Sequence, residues 1–174
     1  MTLIEVERQS GFSSLMPSEL HKAQHRAGQE LAASLLARYR GDSEKNIVIK
    51  TDEKGKPFTD DLCLSIAHSG ELVCAAVSDL PIGVDIEILR AFDERIAARF
   101  FYPGERKWLT QAENEERRRE RFWKIWTAKE AILKRRGSGL ADLSGCDVFG
   151  DLRGICLSWT VAEGYVLCLA ETET

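Results

Sequence analysis

The chain has 174 residues, 44% hydrophobic and 30% charged, with a formal net charge of −4 and a pI near 5.5. Such a composition supports a core of its own and excludes a disordered chain. The acidic balance argues against a chain that coats nucleic acid, whose footprint is a basic surface.

No apolar run approaches the roughly 20 residues that span a bilayer. The opening MTLIEVERQSGF lacks the basic and apolar regions of a secretory signal, so a cytoplasmic protein is expected. Residues 18–40 keep a helical spacing through Leu20, Ala23, Ala27, Leu31, Leu35 and Tyr39, with Ser18 as N-cap and Gly41 as stop. NIVIK (46–50) reads as a short strand, followed by a polar turn with Gly55 and Pro57. LCLSIAH (62–68) and ELVCAAVS (71–78) form a hairpin-like pair of strands, and IGVDIEIL (82–89) is a third.

The second half changes character. Residues 93–112 look helical with a break at Pro103-Gly104, and 113–136 form a strong helix ended by Gly137. ICLSWTV (155–161) and YVLCLAE (165–171) close the chain as strands linked by Glu163-Gly164. This order predicts an α+β fold of two lobes, residues 1–80 and 81–174. The five cysteines, odd in number and without a CxxC or Cys/His cluster, read as buried reduced thiols and not as a zinc site.

In IGVDIEIL, Val84, Ile86 and Ile88 alternate with Asp85 and Glu87, so both carboxylates share one face of a strand. That pattern fits a solvated acidic face, or a pair held together by a divalent cation with phosphate oxygens and water. In WTAKEAILK, Glu130 and Lys134 share a helix face. They fit a surface pair, or a metal-plus-phosphate site with Lys129 beside them. No Ser/His/Asp triad motif, P-loop or complete GxGxxG occurs.

SIAHS (65–69), GVDIE (83–87), FYPGE (101–105) and WTAKEAILK (126–134), in that order, resemble the 4′-phosphopantetheinyl transferases, in particular the single-chain, Sfp-type enzymes. The shared pattern is G-[VI]-D-x-E followed downstream by W-x-x-K-E-x-x-x-K, and the resemblance as a whole covers roughly residues 20–140. The resemblance implies two similar α+β lobes in a pseudo-two-fold arrangement, with the site in the cleft between them. It implies Mg²⁺-dependent transfer of the 4′-phosphopantetheine arm of coenzyme A to a serine of an acyl or peptidyl carrier protein, releasing adenosine 3′,5′-bisphosphate.

By position, the resemblance makes Asp85, Glu87 and Glu130 the metal ligands. Lys134 and Lys129 become diphosphate contacts and Glu105 the base for the carrier serine. Lys56, His68 and Arg26 are assigned to the nucleotide end. Ala67 stands where the family often has serine, and the chain is shorter than many members, the difference falling before residue 18. Arg117, Arg118, Arg119, Arg121, Arg135 and Arg136 offer a basic face to an acidic carrier. A monomer is expected. Two other readings stay open: a non-catalytic homologue that binds coenzyme A or a carrier, and a nucleotide pyrophosphatase.

Overall fold

The computed structural model describes residues 1–53, 55–162 and 164–173. The chain opens with β1 (Thr2–Arg8) and α1 (Pro17–Arg40), then the two-residue strands β2 (Lys50–Thr51) and β3 (Pro57–Phe58), then β4 (Cys63–Ser69) and β5 (Leu72–Ser78). The second half contains β6 (Gly83–Ile88), α2 (Glu94–Phe100), α3 (Pro103–Thr110), α4 (Glu115–Arg136), β7 (Ile155–Ala162) and β8 (Tyr165–Thr172).

One connectivity occurs twice. The first sheet is ordered β1-β5-β4 and the second β6-β8-β7, all antiparallel. Each half therefore runs strand, long helix, strand, strand, with the last strand in the centre. The mixture of helix and sheet is the α+β class expected.

Period-two burial decides which face each strand presents. On β5, Val73, Ala75 and Val77 pack with Leu31, Ala32, Leu35 and Leu36 of α1, while Leu72, Cys74 and Ala76 face the other way. Those three join Val84 and Ile86 of β6 and Leu167 and Leu169 of β8 in a cluster between the sheets. The opposite side of β8, Val166, Cys168 and Ala170, packs under Ala128, Ala131 and Ile132 of α4.

Several local expectations change. The cap of α1 is Met16, with Pro17 as the first helical residue, because Pro's missing N–H costs nothing there. Ser18 is already inside the helix. Only Lys50, the last residue of NIVIK, is in a strand: Ile47 and Ile49 pack against the α1 core, but no partner strand pairs with them. β1, absent from the sequence reading, pairs with β5 along its whole length. The helical break falls at 101–102, and Pro103 opens α3. Asn114 caps α4, its side chain accepting from Arg117 N. The expected Glu163-Gly164 turn includes Glu163, which lies outside the described residues. All five cysteines are free, but Cys156 is exposed where a buried thiol was expected.

Candidate functional site

Asp85 and Glu87 lie on the face of β6 opposite Val84 and Ile86, so they point toward α4. A side chain at Gly83 would put Cβ 2.0 Å from Ala131 O and 2.6 Å from Arg135 N, so the helix backbone rests directly on this glycine. That close approach brings the last turns of α4 over the acidic strand. Lys134 Nζ then donates to Asp85 Oδ1 at 2.7 Å. Asp85 is only 6% exposed, and its Oδ2 is buried without a hydrogen-bond partner.

Burial pushes the Asp85 carboxyl up, opposed by the Lys134 ammonium. Burial works against the Lys134 charge, but Asp85 and Glu130 outweigh it and hold the ammonium above its ordinary range. Glu130, one helical turn before Lys134, is pushed up to about 7 by burial, then by the charges of Asp85 and Glu87, with Lys134 opposing. Glu87 is raised by burial; Ser69 Oγ donates to its Oε2 at 2.6 Å and opposes that rise. The three carboxylates therefore feel one another's charge.

A cleft of about 280 Å³ adjoins this cluster, lined by Lys56, Ser65, Glu130, Leu133 and Lys134. Lys56 Nζ donates to Lys134 O at 2.8 Å and so sits over the C-terminal end of α4. His68 is lowered by burial and then by the Lys134 charge, and its ring lies 6.0 Å from that of His21. Ser65 and Ser69 escaped the sequence reading as distinct contributors. Their Oγ atoms accept from Val84 N at 3.0 Å and Ile88 N at 3.2 Å. The alternation Ser65-x-Ala67-x-Ser69 was the available signal. Ala67 itself belongs to the buried cluster between the sheets.

Three expected site residues lie elsewhere. Glu105 and Lys129 are both fully buried and paired with each other at 2.9 Å, away from solvent. Glu105 also accepts from Tyr102 N and Val148 N, both at 2.7 Å, and Lys129 donates to Cys146 O. As placed, Glu105 has no access to a carrier serine and Lys129 none to a diphosphate. Arg26 faces outward on α1, its side chain 78% exposed, and does not line the cleft with Lys56. On the basic face, Arg117 pairs with Glu120, Arg118 with Glu94 and Arg121 with Glu113.

A hard divalent cation suits oxygen donors, and the orphaned Asp85 Oδ2 beside Glu87 and Glu130 offers them. In donor chemistry the cluster fits Mg²⁺. In arrangement it differs: among the described residues no group of three His, Cys, Asp or Glu side chains is gathered to hold a metal ion. Lys134 occupies Asp85 instead.

Residues 81–165, which hold the acidic strand and the Glu130/Lys134 helix, match the family model of the 4′-phosphopantetheinyl transferase superfamily. The chain's relatives include the 4′-phosphopantetheinyl transferase gsp of Aneurinibacillus migulanus, 36% identical over 65% of this chain and 48% of that one. HetI of Nostoc sp. is 32% identical over 74% of this chain and 57% of its own length. Sfp of Bacillus subtilis is 34% identical over 66% and 52%. The Sfp-type resemblance drawn from the motifs holds, and the chain spans about half the length of the curated relatives it matches. Among the described residues no helix is long and apolar enough to cross a membrane.

Proposed function

We propose that the chain transfers the 4′-phosphopantetheine arm of coenzyme A to a serine hydroxyl of an apo acyl or peptidyl carrier protein in the cytoplasm, with Mg²⁺ as cofactor. The observation that carries this reading is the meeting of Asp85 and Lys134 across β6 and α4, beside a cleft that Lys56 and Glu130 line. The relatives' shared activity, phosphopantetheinyl transfer, supports it.

Displacement at phosphorus depends mainly on positioning and charge neutralisation. Asp85, Glu87 and Glu130 would hold the Mg²⁺, which when bound offsets phosphate charge. Lys134 and Lys56 supply the positive field of the cleft wall, and Ser69 fixes Glu87 through its hydroxyl. The serine Oγ of the carrier releases its proton to solvent and forms the new phosphodiester bond as adenosine 3′,5′-bisphosphate leaves with the electron pair of the broken P–O bond. Glu105, sealed in the α3–α4 core, takes no part in that step.

The test is incubation with coenzyme A, Mg²⁺ and an apo carrier protein, read by intact mass. A carrier that gains the phosphopantetheine arm supports the proposal. An unchanged carrier with intact coenzyme A, across a panel of carriers, rejects it. Cleavage of coenzyme A without a carrier makes the chain a pyrophosphatase.

A further inference from the structure

The Asp85–Lys134 contact poses a problem for any cation. Lys134 Nζ sits 2.7 Å from Asp85 Oδ1, on a carboxylate only 6% exposed. The remaining oxygen, Oδ2, is buried and unpartnered. A divalent cation at Asp85 would stand beside a part-buried ammonium, and like charges at such separations repel. The lysine and the cation therefore compete for one carboxylate.

Lys134 has somewhere else to go. Its side chain also lines the cleft with Lys56 and Glu130. Leaving Asp85 would part the ammonium from the carboxylate it contacts at 2.7 Å, and a part-buried charge favours a new anionic partner. A diphosphate in that cleft provides the partner.

We propose that Lys134 is an exchangeable counter-ion: it stands in for the divalent cation on Asp85 before the cation binds and passes to the diphosphate as the cation arrives. The exchange makes uptake of cation and diphosphate mutually dependent. It rests on the reading above that Asp85, Glu87 and Glu130 are the cation ligands and that the donor carries a diphosphate. By linkage, the factor by which one ligand tightens the other is the same in both directions.

Mn²⁺ binding, followed by loss of the free-ion electron paramagnetic resonance signal with and without saturating coenzyme A, tests this without any turnover. In the wild-type chain, coenzyme A is expected to tighten Mn²⁺ by about tenfold or more. Lys134→Met is expected to bind Mn²⁺ alone about tenfold tighter than the wild type does alone, because the competitor is gone. Lys107→Met removes an equal charge from the exposed surface of α3, outside the cleft lining and with no contact to Asp85. It is expected to leave the affinity for Mn²⁺ alone within about threefold. Circular dichroism confirms that each variant is folded.

Equal Mn²⁺ affinity with and without coenzyme A in the wild type would overturn the exchange and leave the cation site standing. So would a Lys134→Met chain that binds Mn²⁺ alone no better than the wild type, or a Lys107→Met chain that gains as much. A wild-type chain that takes up no Mn²⁺ under either condition would overturn the cation site and the exchange together.

Discussion

Glu130 is the residue whose ionisation the fold disturbs most usefully. Its carboxyl moves from 4.5 up to about 7, so the folded chain favours its neutral form. Such a group stabilises the fold below the unfolded value, and that contribution is lost as pH rises through the folded one. The metal-free protein should therefore lose stability between about pH 4.5 and 7, by about 1–3 kcal/mol from this group. Burial also raises Asp85 and Glu87, and their shifts act in the same sense. Thermal melts in EDTA check it: Glu130→Gln should show a clearly flatter pH dependence, and a slope equal to wild type would contradict the charge crowding. At this scale the sequence was half legible. Alternation placed Asp85 with Glu87, and four-residue spacing placed Glu130 with Lys134. Lys129 misled because it neighbours Glu130, yet adjacent helical residues point about 100° apart. One turns to the cleft, the other into the core.

The helix α4 accordingly serves two neighbours. On its inner side the Glu105–Lys129 pair joins it to α3 with no exposed surface on either side chain. Lys129→Met would leave a buried, uncompensated carboxylate, at a cost of about 3–5 kcal/mol. Combining it with Glu105→Gln should recover part of that loss, since the amide is neutral and its oxygen still accepts from a backbone N–H. Urea denaturation of the two single variants and the double variant measures the coupling. A Glu105→Gln chain with wild-type stability but a large rate loss would return that residue to the chemistry. On its strand side α4 lies on Gly83. Gly83→Ala places a methyl 2.0 Å from the Ala131 carbonyl oxygen, which is backbone and cannot swing aside. The expected penalty is about 1–3 kcal/mol or more, with loss of the Asp85–Lys134 contact, read as a lower urea midpoint and weaker coenzyme A binding. The long helices were legible because their apolar spacing and end signals agree. β1 was not: seven residues at a chain end say little until β5 pairs with them. NIVIK erred the other way, since its alternation seats Ile47 and Ile49 against α1 without a strand to pair.

At the scale of the molecule, the order of elements suggested two lobes but no repeat of residues, because a shared strand order constrains only which faces are apolar, not which residues fill them. What joins the halves is partly apolar, the cluster from Ala67 to Leu169 between the sheets, and partly a seam where β4 meets β6. Along that seam the backbone N–H groups of Val84 and Ile88 find no strand partner; the hydroxyls of Ser65 and Ser69 accept from them instead. A buried N–H left unsatisfied costs about 1–3 kcal/mol. Ser65→Ala and Ser69→Ala should therefore each destabilise the chain by about that amount. Only the second should also disturb the site, because only Ser69 donates to Glu87. Equilibrium unfolding gives the first quantity and Mn²⁺ affinity in the presence of coenzyme A the second. Equal stability losses with a Mn²⁺ deficit confined to Ser69→Ala would show that one hydroxyl both joins the halves and aims a carboxylate. A matching deficit in Ser65→Ala would mean that the seam acts on the site as a whole and that the Ser69–Glu87 contact adds nothing of its own.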